Sequence, residues 1–149
     1  MKAIVKASGV AGAIEVRDLP MPEPGSGEVL VKMGASGICY SDVMIYKGLY
    51  KGRSPLPFPL IMGHEGAGVI AGLGQGVTSL KVGAKVSLLP IWGCGHCGNC
   101  VDGSPNLCTG WTHLGITRDG TFAEYVTVPA LMAFNVPDSI SMINAACVE

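Results

Sequence analysis

The sequence contains the run LIMGHEGAGVIAG at residues 60–72, in which His64 and Glu65 stand side by side among apolar residues and glycines. An ionised carboxylate that is buried without a partner is costly, so this setting predicts a cation or a hydrogen-bond network beside Glu65. Cys39, further upstream, offers a thiolate from another loop. Thiolate, imidazole and carboxylate together suit zinc, and three protein ligands with an open fourth position are typical of a catalytic site. Judged by residue type alone, the alternative is an ordinary core or surface pair of His64 and Glu65.

Composition indicates one domain whose surface is poor in charge. The chain has 149 residues, a net charge of -1 and scattered Lys and Arg residues, which gives no basis for binding to nucleic acid or to an acidic membrane surface. The apolar stretches are too short to span a membrane and no signal-peptide core is present, so we expect a cytoplasmic protein. Only 14% of the residues are charged, well below the roughly one quarter usual in soluble domains. We therefore expect another domain or subunit to cover part of the surface.

Alternating apolar and polar residues predict a mainly β fold with tight turns. The chain contains 22 glycines and 10 prolines but only 6% aromatic residues, which is typical of many short strands. The predicted strands cover residues 1–7, 13–18, 28–37, 66–72, 84–89 and 121–128, the last with one buried face. Residues 72–77 carry part of a phosphate-binding glycine pattern, but its third glycine falls at Val77, so a tight turn is predicted there.

Two short helices are predicted from their capping residues. The first covers residues 41–46, with Ser41 or Asp42 as its cap, and begins just after a predicted strand. The second covers residues 142–149, with a serine at 139 or 141 as its cap. Cys39 therefore lies at a strand-to-helix corner, where a side chain is exposed and held in place.

Four of the six cysteines form a compact pattern that predicts a metal site. In a chain without a secretory signal, such cysteines indicate metal binding in preference to disulfides. Glycines between them let the backbone wrap tightly, so that four thiolates can converge on one zinc ion in a closed, structural site. The final spacing does not match the common iron-sulfur pattern, and His96 within the lobe is interpreted as a solvent-facing loop residue. The pattern is C-x2-C-x2-C-x7-C, formed by Cys94, Cys97, Cys100 and Cys108.

Together with this four-cysteine lobe, three further motifs resemble the zinc-dependent medium-chain alcohol and polyol dehydrogenases. They are GICYSD at 37–42, GHEGAGVI at 63–70 and GTFAEY at 120–125. The resemblance runs over residues 1–149 in order and implies a GroES-like β-barrel catalytic domain, with the structural zinc lobe at about 92–110. It also implies that a dinucleotide-binding Rossmann domain follows residue 149, and that the full-length form is a homo-oligomer. We expect a fragment that is inactive by itself.

The resemblance implies a role for each residue of the first motif pair. Cys39 and His64 match the two catalytic zinc ligands, and Glu65 matches the adjoining carboxylate that enters or leaves the zinc shell. Ser41 matches the hydroxyl that relays the substrate proton outward.

Five further positions carry weaker implications. The last family ligand to the catalytic zinc falls on Glu149 by the polyol and threonine pattern, whereas Cys147 is the softer ligand nearby. Asp42 matches a buried partner that orients the site. Met44 stands where many relatives have a histidine that completes the proton path, and Tyr40 stands where several have a basic residue facing the cofactor phosphate. The choice between NAD and NADP is therefore open.

The implied function is the oxidation of a small alcohol or polyol, or the reduction of its carbonyl, with NAD or NADP. One zinc would be catalytic and polarise the substrate oxygen, and the other would be structural. Two alternatives are a non-catalytic zinc-binding structural or interaction module and a redox-sensing thiol lobe. Cys39, Ser41, His64 and Glu65 argue against the first, because a scaffold needs only the four-cysteine lobe.

Overall fold

The computed structural model describes residues 1–148, so that Glu149 lies outside the described residues. The described residues form ten short strands and three short α-helices, in agreement with the predicted mainly β fold. The elements are β1 (Lys2–Lys6), β2 (Ile14–Asp18), β3 (Glu28–Ser36), α1 (Tyr40–Tyr46), β4 (Leu60–Ile61), β5 (Gly66–Leu73), β6 (Lys85–Leu88), β7 (Ile91–Trp92), α2 (Gly98–Val101), β8 (Thr112–His113), β9 (Tyr125–Pro129), β10 (Ala133–Asn135) and α3 (Met142–Ala146).

The strands form three antiparallel sheets. The largest has the order β10-β6-β5-β3-β9, and the others have the orders β2-β1-β4 and β7-β8. In the largest sheet, Ser36 at the end of β3 lies opposite Gly66 at the start of β5. The segment that follows β3 and the segment that precedes β5 therefore leave the sheet side by side, at the same end of these two strands. Within residues 1–148, no helix combines the length and apolar composition that crossing a membrane requires.

The main core lies between the central strands of the large sheet. Its members are completely or almost completely buried, because β-branched side chains from neighbouring strands pack against one another. They include Val29, Val31, Ile70, Val86, Leu114 and Val128. A smaller cluster of Ile45, Met62 and Ile116 lies under α1 and ties that helix to the segment before His64.

The last predicted strand differs from the structure in its start and its burial. The strand β9 begins at Tyr125, because the preceding residues bond elsewhere: the Thr121 N–H donates to the Gly63 carbonyl, and the Phe122 N–H donates to the Met62 carbonyl. The prediction of one buried face is also wrong, since Thr127 is buried between two buried valines.

The predicted helix boundaries need two corrections. Helix α1 begins at Tyr40 with Cys39 as its N-cap, and Asp42 contributes from the third helical position by accepting the Cys39 N–H at 3.0 Å. Cysteine is an unusual cap, so the helix start was placed too late. Helix α3 has the predicted cap at Ser141, whose hydroxyl accepts the Asn144 N–H at 3.1 Å, but it ends at Ala146.

A buried lysine fastens the other end of α1. The side chain of Lys6 is fully buried, and its ammonium donates hydrogen bonds to the carbonyls of Val10 and Tyr46. Burial lowers the pKa of Lys6. Because Tyr46 is the last residue of α1, the cation lies at the end of the helix where the backbone dipole favours positive charge.

Arg118 connects the loop before β9 to two strands. Its guanidinium donates to Glu28 at 2.8 Å and to the Thr127 hydroxyl at 2.7 Å, and it lies 5.7 Å from the ring centre of Trp92. Burial alone raises the pKa of Glu28, but hydrogen bonds from Arg118 and Gly25, with the Arg118 charge, hold it below its ordinary value. The pair is half-buried, so solvent screens part of this attraction.

We expect Arg118→Met to lower the free energy of unfolding by about 1–2 kcal/mol at pH 7. Since the folded pKa of Glu28 lies below its unfolded value, the unfolded chain takes up the proton first as the pH falls. The difference between the two proteins should therefore shrink below the ordinary pKa of 4.5. Urea unfolding of both proteins between pH 7 and pH 4 measures it.

The control is Lys2→Met, which removes a pair with Asp18 whose side chains are 66% and 78% exposed. We expect less than about 0.5 kcal/mol for this change. An equal loss of stability in the two variants, or an Arg118 effect independent of pH, would contradict stabilisation by the Arg118–Glu28 pair.

Candidate metal centres

The edge of the large sheet brings three predicted zinc ligands together. The sulfur of Cys39, a ring nitrogen of His64 and a carboxylate oxygen of Glu65 all lie within 4.8 Å of one another. Cys39 follows β3 and the other two precede β5, so the pairing of these strands places them side by side. His64 is buried, whereas Cys39 and Glu65 are half-buried, which leaves this cluster open on one side.

Two glycines shape the backbone around this cluster. Gly63 has a positive φ of 87°, and a Cβ there would overlap the ring of Phe122. A Cβ on Gly37 would overlap the carboxylate of Glu65. Position 63 requires glycine for two reasons: L side chains rarely adopt this φ, and a Cβ would overlap the Phe122 ring.

One carboxylate holds both ligand-bearing segments. Asp42 is 2% exposed, and it accepts the N–H of Cys39 at 3.0 Å and the N–H of Gly63 at 3.3 Å. Its Oδ1 lies 3.8 Å from Nδ1 of His64, which is too long for a hydrogen bond. Burial raises the pKa of Asp42, against the opposing effects of the His64 charge and of the two backbone donors. The predicted orienting role of Asp42 agrees with these contacts.

The chemistry of the cluster fits a metal ion. The buried Nδ1 of His64 has no hydrogen-bond partner within residues 1–148, and Nε2 lies 3.3 Å from the hydroxyl of Ser41. An imidazole without a strong partner beside a thiol and a carboxylate is a donor set that zinc accepts. Ser41, the predicted relay, thus lies directly at the cluster.

The four cysteines of the lobe also converge. Their sulfur atoms lie within 4.8 Å of one another, with 3.5 Å between Cys97 and Cys100 and 3.7 Å between Cys97 and Cys108. Four sulfurs at the usual zinc distance lie roughly 3.8 Å apart, so the spacing suits one tetrahedral ion. His96 is exposed, as predicted, and its Nδ1 lies 2.9 Å from the Cys94 carbonyl.

Two thiols of the lobe differ strongly in acidity. Backbone N–H groups of His96 and Cys97 lower the pKa of Cys94 to about 6. The Gly95 N–H acts in the same direction on Cys100, but burial and hydrogen bonds with the other thiols raise the pKa of Cys100 to about 11. The lowered pKa of Cys94 favours its thiolate, which is the form that binds metal.

His113 packs beside the cluster of Cys39, His64 and Glu65, here called the open cluster, and its sequence context did not predict this position. Its ring centre lies 5.2 Å from that of His64 at an interplanar angle of 75°, and 5.6 Å from that of Trp111. Burial lowers the pKa of His113, although a bond to the Leu114 carbonyl opposes this. His113 ends the two-residue strand β8, and no spacing pattern marks such a lone histidine, so only the tertiary fold shows its position.

A shallow, solvent-open cavity of about 380 Å³ lies beside Ser41. The loop between α1 and β4 forms its outer wall, which gives the cavity a mixed apolar, aromatic and cationic lining. The lining residues are Tyr40, Ser41, Met44, Leu49, Tyr50, Lys51 and Gly52.

The structure places no further predicted zinc ligand at the cluster of Cys39, His64 and Glu65 within residues 1–148. Glu149 lies outside the described residues. Cys147, the alternative, is an exposed residue at the C-terminal end of α3, and the described donors that converge with Cys39 are His64 and Glu65.

Comparisons with known proteins point in one direction. Residues 25–138 match the family described as Alcohol dehydrogenase GroES-like domain. L-threonine 3-dehydrogenase of Salmonella gallinarum is 42% identical over 141 residues, which cover 95% of this chain and 41% of that protein. The solved structure of an NAD-dependent alcohol dehydrogenase superposes with a TM-score of 0.90 at 37% identity, over 99% of this chain and 43% of the other.

A metal-containing structure is also similar. The cobalt and zinc bound thermostable alcohol dehydrogenase from Pyrobaculum aerophilum superposes with a TM-score of 0.84 at 32% identity, over 98% of this chain and 43% of that chain. The present chain therefore spans less than half the length of the relatives that it matches.

We expect Gly63→Ala to lower the free energy of unfolding by about 2–5 kcal/mol, because strain at positive φ adds to the overlap with Phe122. The matched control is Gly76→Ala, where φ is 83° but a Cβ would meet nothing within 4 Å. Strain alone should cost the control about 1–2 kcal/mol. Urea unfolding of the three proteins measures both changes, and equal losses would show that the Phe122 contact is unimportant.

Proposed function

This chain belongs to the zinc-dependent medium-chain alcohol dehydrogenase family, and from that premise we propose that it forms the catalytic domain of an enzyme that oxidises a small alcohol or polyol, or reduces its carbonyl. The observation that carries the proposal is the convergence of Cys39, His64 and Glu65 beside Ser41. The comparisons confirm the predicted family and the GroES-like fold.

The residues of the open cluster have separate roles in this proposal. Cys39, His64 and Glu65 would hold a zinc ion, which supplies a Lewis acid that polarises the substrate oxygen. Asp42 keeps the two ligand-bearing segments in register through its bonds to the Cys39 and Gly63 N–H groups. Without these bonds the two segments would be less ordered, and bringing the donors together around a metal would cost conformational entropy.

Ser41 is the residue that moves a proton. Its hydroxyl lies 3.3 Å from Nε2 of His64, and Ser41 lines the cavity, so the hydroxyl can accept the proton of the substrate hydroxyl and donate its own to water. Met44 also lines this cavity but has no group that titrates, so water completes the path to solvent.

A nicotinamide cofactor would accept the hydride. We propose that its binding belongs chiefly to a Rossmann domain outside this chain, because the relatives match over only 41% to 43% of their lengths. The isolated chain would then bind metal without turnover. The 76% exposed Ile38 and the 79% exposed Leu131 are consistent with an additional domain or subunit that covers part of this surface.

The four-cysteine lobe would hold a second zinc with a structural role. Four thiolates complete a tetrahedral shell and leave no position for substrate. Neither a non-catalytic module nor a redox lobe is favoured, because neither accounts for the donors gathered around His64. The cytoplasmic location and the homo-oligomeric state stay predictions.

Zinc content per chain tests the two metal centres. We expect two zinc ions in the wild-type chain and one in the Cys39→Ser, His64→Ala double variant, because only the open cluster is altered. Elemental analysis measures both, and Cys147→Ser is the control that should keep two. One zinc in both proteins would count against the open centre in the isolated chain.

L-threonine is the first substrate to test, because relatives carry the name L-threonine 3-dehydrogenase. The test uses a hybrid in which this chain replaces the matching part of that enzyme, with L-threonine, sorbitol and 2-butanol in the presence of NAD or NADP. We expect one of the alcohols to be oxidised, and Ser41→Ala to lower kcat about 100-fold without loss of zinc.

Two results would contradict the proposal. The first is a folded, fully zinc-loaded hybrid that oxidises none of the three alcohols. The second is rapid NAD-dependent oxidation by the isolated 149-residue chain, which would show that no further domain is needed.

A further inference from the structure

Arg53 joins the wall of the cavity to the four-cysteine lobe. It lies on the loop at 47–59, between α1 and β4, and its guanidinium makes three contacts. One nitrogen donates to the Cys108 carbonyl at 2.7 Å and another donates to the Asn106 carbonyl at 3.4 Å. The guanidinium also lies 5.6 Å from the ring centre of Trp111.

The loop has few other polar attachments. Within the described chain, no backbone N–H of residues 50–57 donates to a backbone carbonyl. Apolar packing holds part of the loop, since Leu56 and Tyr50 pack against the cluster under α1. The guanidinium bonds are therefore the polar restraint on a segment that has neither helix nor strand.

Both ends of this connection lie at functional features. On one side, Tyr50 and Lys51 line the cavity beside Ser41. On the other side, Cys108 is fully buried and its sulfur belongs to the four-cysteine cluster. When the sulfur of Cys108 is held, its carbonyl oxygen is held as well, and this oxygen is the acceptor of the hydrogen bond from Arg53.

We propose that Arg53 is a positioning residue that couples the order of the four-cysteine lobe to the position of the cavity wall. The coupling rests on the proposed function in one respect, that the lobe binds zinc. By linkage it acts in both directions: metal in the lobe stabilises the bonded position of the loop, and the loop bonded through Arg53 raises the affinity of the lobe for that metal by the same factor.

The guanidinium is suited to this task and an ammonium is not. Its planar fork can donate to two carbonyls while its face lies over an aromatic ring. A lysine at position 53 would keep the charge but could not make all three contacts. We therefore expect Arg53→Lys to behave more like Arg53→Met than like the wild-type chain.

The first measurement is native-state cleavage by chymotrypsin after Tyr50, followed by mass spectrometry. We expect cleavage about tenfold faster in Arg53→Met and in Arg53→Lys, because the loop opens more often when the charged bonds are lost. Lys47→Met, which removes an exposed cation from the same loop, is the control and should stay within twofold. Cleavage after Tyr125 in β9 reports global unfolding and should not change.

The second measurement is the equilibrium affinity of the lobe for zinc, determined by competition with a chelating dye. It uses the Cys39→Ser, His64→Ala background, in which only the lobe retains metal, so the signal comes from one site. We expect the affinity to fall about tenfold when Arg53→Met is added.

The outcomes separate the inference from the proposed function. Unchanged cleavage in both Arg53 variants would overturn the positioning role, and faster cleavage with unchanged zinc affinity would overturn the coupling. A lobe without zinc in the wild-type chain would refute the proposed structural zinc and with it the coupling, while the cleavage comparison would still decide whether Arg53 holds the loop.

Discussion

The antiparallel pairing of β3 with β5 is the constraint on which the rest of the molecule depends. These strands lie inside the large sheet, and Ser36 faces Gly66 where the pairing of the two strands ends. Val29, Leu30 and Val31 are consecutive and all buried, and the pairing is irregular between Leu30 and Val31 and between Met33 and Ala35. The pairing beyond these irregularities decides how far Cys39 lies from His64. Packing in the core and the geometry of the open cluster therefore depend on the same pair of strands, and Asp42 adds a direct bond to each ligand-bearing segment.

The two clusters of candidate ligands differ in what assembles them. The lobe draws four like donors from a single short segment, and its glycines permit the necessary turns. The open cluster combines sulfur, nitrogen and oxygen from two distant segments, and it keeps one side accessible. The first arrangement favours a permanently filled coordination shell. The second leaves room for a reactant, and its accessibility follows from its place at the rim of a sheet and not inside one.

Local patterns in the sequence predicted much of this, because spacing and residue type report on local structure. The lobe followed from its cysteine spacing, and the joint motifs correctly identified the family and the fold. The start of α1 was wrong because Asp42 supports the helix from inside while a cysteine occupies the cap. The start of β9 was wrong because Thr121 and Phe122 bond to the segment before His64. His113 and Arg53 could not be found, since their importance lies in contacts with residues about 50 positions away.

The difference in sequence distance between the clusters has a consequence for biosynthesis. Cys94 and Cys108 are separated by 14 positions, and the Cys94 N–H donates a hydrogen bond to the Cys108 sulfur. A short segment closes quickly and needs no completed sheet, so the proposed zinc site in the lobe would form early in folding. Cys39 and His64 come together only after β3 and β5 have paired, which is a slower, non-local event. If both clusters bind metal as proposed, this difference would give its acquisition an order: the closed lobe would fill first, and the open centre would become competent only in a chain that is already folded.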